Sequence, residues 1–416
     1  MSHNKTNNKY PISISAVFPN HLRDRLYLAV LLIQLKNQLS AEHIMLQISI
    51  YRSLQNVMHH FNKNVAWKPM KKKLEFIYWF AYYNLDSPSV RFRAKYPLNF
   101  FKKHKNVGSY FIVPSYKPMG IYLFLKAYLS ALFFRKPNSL IVIQRVQSDF
   151  IYSRLLKLLV IIKNKDTVYD LDDADYLLVN PKTIYFFAKH CEKISAGSKQ
   201  IEEHLSQFNH HIFHTTSPIV DLEIIKKHRN TLFTIGWIGG FSGEHKDSLI
   251  KLVFPALKEL SFQLKLIVIG VTKASDITLI KDYFKENSNI EIELPLQLDW
   301  NNEVAIQERI MSFDIGIATL TNSEMQLSKS GIKAKQYMNN GVPVLSTNLP
   351  ENNTVVVDGI NGYFCNTSDD FKERINQFYK MTDTDYSMFS RNARASIRNF
   401  DHYKYFSDFE KIKNSQ

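Results

Sequence analysis

Apolar and polar positions fall into two regimes along the chain. Over residues 1–73, Leu22, Leu26, Ala29, Val30, Ile33 and Leu35 recur at near-helical spacing before the basic run MKKK. This region is predicted to be a mostly helical extension. From Leu74 short apolar runs alternate with amphipathic stretches. LEFIYWFAYY, YFIVPS, SLIVIQR and TVYDLDD read as buried strands, and PLNFFKKHK, MGIYLFLKAYLSALFF and DFIYSRLLKLLVIIK as helices between them. The strand KISAGS and the helix SKQIEEHL follow, then a polar segment through HTTSPIVDLEIIKKHRN. The alternation then restarts. TLFTIGWIGG, KLIVIG, NIEIELP, FDIGIATL, VPVLST and GYFCN read as strands, with KDSLIKLVFPALKEL, NEVAIQERIMS, GIKAKQYMN and DDFKERINQFYK as helices.

Such alternation implies α/β architecture with parallel sheets covered on both faces. The pattern predicts two doubly wound, Rossmann-like domains, 74–220 and 221–400, with a seam near 215–230 and a tail, 401–416, free to pack back on the first domain. Two such domains facing each other leave a cleft at the carboxyl ends of both sheets, where ligands of these folds bind.

Composition narrows the class. The 416 residues are 45% apolar and 13% aromatic with 13 Gly and 14 Pro, as in a globular chain with a large core. Cys191 and Cys365 supply neither a disulfide framework nor metal-ligand spacing, so zinc is excluded and a reducing compartment is expected. The opening MSHNKTNNKYPISIS lacks the order of a secretion signal. LYLAVLLIQL and YLSALFFR are shorter than the roughly 18–20 apolar residues of a spanning helix. The expectation is a cytoplasmic protein, soluble or peripheral on the inner membrane.

Charge is uneven. Lys and Arg total 53 against 38 Asp and Glu, a net +15. Residues 1–163 hold 25 basic and 5 acidic side chains, a net +20, and the remainder is at −5. A basic half suits anionic partners: nucleic acid, a phosphate-rich substrate or acidic lipid headgroups. It also describes a merely solvated lysine-rich surface. No recognition helix, zinc finger or RNA-binding aromatic signature accompanies the charge, so no nucleic-acid partner is expected.

Four segments carry candidate chemistry. In SKSGIKAKQYMNNGVPVLST, from Ser328, Ser330 is expected to cap a helix starting at Gly331, and Gly341 to end it. Free N–H groups at that start, with Lys329 and Lys333 on either side, would cradle a phosphate; an ordinary capped helix has the same pattern. In TIGWIGGFSGEHKDSL an apolar strand leads into Gly239 and Gly240, with Ser242 and Lys246 close by. Glycines there admit a pyrophosphate, and they also make a plain turn. The spacing matches neither G-x-G-x-x-G nor the P-loop, so NAD and ATP are not implied. In VYDLDDADY, Asp170, Asp172 and Asp173 leave a strand end. A D-x-D pair can hold Mg²⁺ or Mn²⁺, but the phosphate-binding half of the chain fits neither metal-dependent class, so a hydrogen-bonding or loop-ordering role is expected. In SPSVRFRAKYPLNFF, Arg91 and Arg93 near a helix start suit a phosphate or carboxylate, or lie on the surface.

Taken in order, GWIGGFS, Trp300 with Glu303, FDIGIATL, KSGIKAKQYMNNGVPVLS and DGINGYF resemble the C-terminal half of family 4 glycosyltransferases. The bacterial branch reading K-C/S-G-x-K-x-x-Q-Y-M-A-x-G-x-P-V-V is the nearer match. SVRFR, VYDLDDA and ISAGSKQIEEHL resemble the N-terminal half more weakly; residues 1–73 match nothing familiar. The resemblance covers about residues 74–400. It implies a GT-B fold, a nucleotide-sugar donor (UDP- or GDP-linked) held by the C-terminal domain, and retaining transfer without a metal or other cofactor. Many members carry Glu-x₇-Glu where this chain has Ser328 and Gln336. Gln336 can still bond ribose hydroxyls; Ser328 leaves donor-sugar contact open, with Glu324 a candidate substitute.

The expected roles follow from the resemblance and from the charge that leaves on the diphosphate. Lys333, Lys246, Asp172 and Asp173 are the catalytic candidates. Gly239, Gly240, Ser242, Trp300, Glu303, Ser328, Lys329, Ser330, Gly331 and Gln336 are the donor-binding set, with Trp300 or Glu303 near the base. Arg91 and Arg93 are placed on the acceptor side. The expected function is extension of a glycan or lipid-linked acceptor in bacterial surface polysaccharide synthesis. The alternative is a catalytically weakened relative serving as a binding or scaffold subunit.

Overall fold

The computed structural model describes residues 73–415 except Lys227 and Gln297. All but the last residue of the helical extension expected over 1–73 therefore lies outside the described residues. Among the described residues two six-stranded sheets form, every pairing parallel. The first contains β1 (Phe76–Ala81), β2 (Gly108–Ile112), β3 (Ser139–Gln144), β4 (Thr167–Leu171), β5 (Lys193–Ala196) and β6 (Ile212–His214), in the order β2-β1-β3-β4-β5-β6. The second contains β7 (Thr234–Ile238), β8 (Leu264–Ile269), β9 (Ile290–Glu293), β10 (Ile315–Ala318), β11 (Val344–Ser346) and β12 (Gly362–Phe364), in the order β12-β11-β10-β7-β8-β9. β3, β4 and β7 are buried at every position, which is why they read as continuous apolar runs.

Helices cover the faces. In the first domain these are α1 (Tyr96–Lys105), α2 (Pro118–Phe133), α3 (Ile151–Ile162), α4 (Lys182–His190) and α5 (Lys199–Leu205). In the second they are α6 (Gly243–Ser248), α7 (Phe254–Lys258), α8 (Ala274–Tyr283), α9 (Glu303–Met311), the short α10 (Glu324–Leu327), α11 (Ile332–Asn339), α12 (Ser368–Lys380) and α13 (Asp383–Ser396). Strand β6, helices α4, α8 and α13 and the short α10 were not anticipated. β6 is a three-residue, half-buried edge within a His-rich run, too short to show a period.

A turn, Pro88–Val90, and a π-helical stretch, Arg91–Lys95, run directly into α1. Pro97 explains the widened turn: it has no N–H to offer the carbonyl four residues earlier, and its ring crowds that carbonyl. The carbonyl in question is that of Arg93, and Tyr405 Oη donates to it at 3.1 Å. Tyr405 lies on the last helix, α14 (His402–Asn414), which crosses back to the first domain. Its Tyr405, Phe406, Phe409 and Ile412 share a core with Trp79 and Phe101; the Trp79–Phe409 and Phe101–Phe406 ring centroids are 5.6 and 5.0 Å apart.

The strand orders place the ligand edge. The chain leaves β1 toward β2 on one side and the adjacent β3 toward β4 on the other, and in the second sheet leaves β7 toward β8 and the adjacent β10 toward β11. At such points loops diverge and open a crevice outside the carboxyl ends of the strands. The crevices of the two domains form one cleft.

Candidate active site

The cleft has a volume of about 440 Å³ and is lined by both domains. The first domain contributes Tyr83, Ser89 and Arg91 after β1, Arg145 after β3, and Asp172 and Asp173 after β4. The second contributes Gly239, Gly240 and His245 after β7, Trp300 at the approach to α9, and Lys329, Ser330, Gly331, Lys333 and Gln336 around the start of α11. Every one of these loops follows the carboxyl end of a strand.

The start of α11 departs from expectation. Ser330 does not cap it; its carbonyl instead accepts from Lys335 Nζ at 2.8 Å. The capping position belongs to Gly331, whose φ of +64° is left-handed and needs no side chain, and the helix begins at Ile332. A Cβ at Gly331 would lie 3.2 Å from Asn352 Oδ1 and Glu351 O, atoms of the facing loop. Gly331→Ala is therefore expected to destabilise the protein by about 1–2 kcal/mol through left-handed strain alone. Thermal unfolding would show it.

Lys333 is enclosed. Its Nζ lies 3.3 Å from His245 Nδ1 and 5.5 Å from the Trp237 ring centroid. Burial, and then Lys329, pushes the Lys333 pKa down to about 7, with Asp173 opposing. His245 is pushed down to about 2 by burial first, then by Lys333 and Lys329. A neutral imidazole thus accepts from the ammonium. Lys329 Nζ crosses the cleft to Asp173 Oδ1 at 2.6 Å, so one cation of the second domain rests on a carboxylate of the first.

The acidic cluster is organised by Arg145. Its Nε and one terminal nitrogen hold Asp175 at 2.7 and 2.6 Å, the other terminal nitrogen reaches Asp173 at 3.0 Å, and the guanidinium lies 4.8 Å from the Tyr83 ring centroid. Arg145 has a φ of +53°, uncommon for a side-chain-bearing residue, and its N–H is fixed by the Asp170 carbonyl at 2.9 Å. Ser89 Oγ donates to Asp172 at 2.6 Å. Burial raises the Asp172 pKa against the pull of Arg145, while Arg145 and Lys329 outweigh burial at Asp173 and lower it. Both Asp173 oxygens and Asp172 Oδ1 are committed to arginine, lysine and serine, and among the described residues no cluster of three His, Cys, Asp or Glu side chains could hold a metal ion.

Several expected residues lie elsewhere. Arg93 does not reach the cleft: it is fully buried, with Nε and a terminal nitrogen on Asp170 at 2.9 and 2.5 Å, and further bonds to Ser195 Oγ and the Thr215 carbonyl. Burial would lower its pKa, but Asp170 outweighs burial and raises it. Lys246 pairs with Asp276 of α8 at 2.6 Å, outside the cleft lining. Ser242 is an exposed residue ahead of α6 whose side chain makes no capping bond. Ser328 is buried, its Oγ donating to the Glu324 carbonyl at 3.0 Å, and Glu324 itself is exposed and coupled electrostatically to His204. Glu303 is buried beside the cleft: Gln307 donates to one oxygen at 3.1 Å, and burial pushes its pKa up to about 7.

Sequence reasoning missed Arg145, His245 and Tyr83. His245 adjoins the chosen Lys246, and only the path of the Gly239–Gly243 loop decides which of the two faces inward. Arg145 followed a recognised strand, so its place at a carboxyl edge was available as a signal.

A second hollow, also about 440 Å³, opens beside Trp300 and is walled by Gly270, Thr272, Pro295, Leu296 and Leu298, with Asp299 at its edge.

Comparison with known proteins agrees with this geometry. Residues 233–381, most of the second domain, match the family model described as glycosyl transferases group 1. No curated protein matches the chain by sequence. Among solved structures the chain is similar to HepE of Anabaena in complex with UDP-glucose, at 14% identity and a TM-score of 0.57 over 81% of this chain and 98% of that one. It is similar to a glycosyltransferase of Rickettsia africae, at 14% identity and a TM-score of 0.59 over 82% and 100%. It is also similar to the pneumococcal O-GlcNAc transferase GtfA in complex with UDP and GlcNAc, at 15% identity and a TM-score of 0.51 over 71% and 60%. At these identities the likeness establishes the fold, GT-B.

Proposed function

We propose that the protein is a retaining glycosyltransferase that moves a sugar from a nucleotide-sugar donor to a glycan or lipid-linked acceptor without a metal ion. The observation that carries the reading is the convergence, at one cleft wall, of Lys329, Lys333, the free N–H groups of α11 and the close Gly239–Gly240 turn. These groups suit a diphosphate, the fragment that gains negative charge as the sugar departs. Preorganised cations and N–H dipoles aimed at such charge supply much of the rate in transfer reactions. Lys333 becomes fully protonated as the diphosphate arrives, Lys329 exchanges Asp173 for a phosphate oxygen, and Gln336 holds ribose hydroxyls. The hollow beside Trp300 takes the base.

On the opposite wall, Asp172 with Ser89, Arg145 with Asp173, and Arg91 face the sugar and the acceptor. Same-face attack by the acceptor hydroxyl, its proton passing to the departing phosphate, gives retention and needs no protein nucleophile. The acceptor reading follows from the basic excess of the first domain, which suits a glycan carried on anionic lipid, as surface polysaccharide synthesis at the inner membrane would supply.

A screen of UDP-, GDP- and CDP-sugars in the presence of EDTA tests this reading. Thermal stabilisation by one nucleotide class and release of its diphosphate are expected with EDTA present. Binding of none defeats the enzyme reading, and activity restored only by a divalent cation defeats metal independence. Binding without turnover by the pure protein, with turnover in a co-purifying partner, would instead favour the scaffold reading that Ser328 prompts.

A further inference from the structure

Six large apolar side chains stand out from one edge of the first domain: Tyr116 at 94% exposure, Met119 at 66%, Tyr122 at 57%, Phe150 at 56%, Ile151 at 77% and Leu178 at 70%. They belong to the loops and first turns that follow β2, β3 and β4, the same carboxyl edge on which the cleft opens. The three segments are neighbours. Phe124 of α2 packs on Tyr152 of α3 with ring centroids 5.0 Å apart, and Lys157 of α3 bonds Thr183 of α4 at 3.1 Å. Single exposed apolar residues are ordinary, but several together on one edge mark an interaction surface. α2 makes the point: its later turns bury Ala127, Tyr128 and Ala131, whereas its first two turns are apolar and exposed on most sides.

Charge selects the occupant. Between Asp86 and Asp149 the chain holds eleven Lys and Arg and no Asp or Glu. The exposed lysines 117, 126 and 182 lie on the segments that carry the apolar row; of the acids there, Asp149 is held by Arg154 and Lys157 at 3.2 Å each, and Asp172, Asp173 and Asp175 are paired with Arg145. Among the described residues no helix is long and apolar enough to cross a membrane. Protruding apolar side chains, tyrosines among them, and exposed lysines on the same segments suit a bilayer surface with its acyl chains, interface and anionic headgroups.

We propose that this edge inserts shallowly into an anionic bilayer and so seats the mouth of the cleft on the membrane. Acceptors carried in the lipid would then reach Arg91, Ser89 and Asp172 without leaving the surface. The inference stands on the exposed edge and its charge, independently of the transfer reading.

The test is co-sedimentation of the full-length protein with vesicles of phosphatidylcholine alone and with about one quarter phosphatidylglycerol, free of any glycan lipid. Wild-type protein is expected to bind the anionic vesicles and to be released by salt. The triple change Met119→Glu, Ile151→Glu and Leu178→Glu is expected to weaken binding at least about tenfold. Because these side chains touch solvent, its melting temperature should match wild type. Lys117→Ser with Lys126→Ser and Lys182→Ser is expected to remove the preference for anionic vesicles. The proposal fails if wild-type protein does not bind, or if the triple variant binds as wild type does. It also fails if sedimentation velocity shows self-association that the triple variant abolishes, which would assign the edge to a second copy of the chain.

Discussion

Replacing Lys333 with alanine is expected to slow sugar transfer by about 10²–10³-fold, the usual cost of deleting one preorganised group that meets developing negative charge. Its burial makes the effect dependent on pH. With a pKa of about 7 in the donor-free protein, Lys333 is only partly charged at neutral pH. The bound diphosphate favours the ammonium and raises that pKa. A nucleotide sugar should therefore bind with full affinity below pH 7, and affinity should fall toward tenfold per unit as pH rises above 7, until the raised pKa of the complex is passed. Nucleotide sugars suit the experiment, since their diphosphate does not titrate in this range. Calorimetry in buffers of different ionisation enthalpy should detect proton uptake on binding between pH 7 and 8, and none with Lys333→Ala. Affinity independent of pH in the wild type would remove Lys333 from the diphosphate site.

The second large effect concerns stability. Arg93→Ala leaves Asp170 charged and buried without its bidentate partner, and removal of one member of such a pair costs about 3–5 kcal/mol. The first domain should then melt well below the wild type, or the protein should fail to accumulate in soluble form. The pair joins the helix entrance after β1 to the ends of β4 and β5, so the loss reaches the backbone that aims Asp172. Arg93→Met combined with Asp170→Leu, which removes both charges, should recover much of the stability. An Arg93→Ala protein with unchanged melting would show the buried pair to be a minor contributor.

Arg91 and Arg93 illustrate what local pattern leaves open. They are two residues apart at a predicted helix entrance, and either could have faced a ligand. Two residues on a helix differ by about 200° in direction, so one faces the cleft and the other the core. Which is which depends on the π-turn before Pro97 and on Tyr405, more than 300 residues away. Lys333 and Lys335 repeat the lesson on α11. Lys333 lines the cleft, whereas Lys335 is fully buried, bonded to Thr216 Oγ1 and Ser330 O between the domains.

The sequence by itself determined the α/β class with its two parallel sheets, most of their strands, and several of the glycines and lysines that line the cleft. It could do so because the signals are local: parallel strands buried on both faces are continuous apolar runs, and helix starts and turns need particular residues. Only the tertiary structure decided which charged groups meet. Arg145 gathers Asp172, Asp173 and Asp175, Lys329 rests on Asp173 of the other domain, His245 rather than Lys246 turns inward, and Arg93 disappears into an ion pair. Those outcomes depend on where two sheets bring their carboxyl edges together, and a charged side chain has the same local pattern whether the partner it meets is solvent, a buried carboxylate or a substrate.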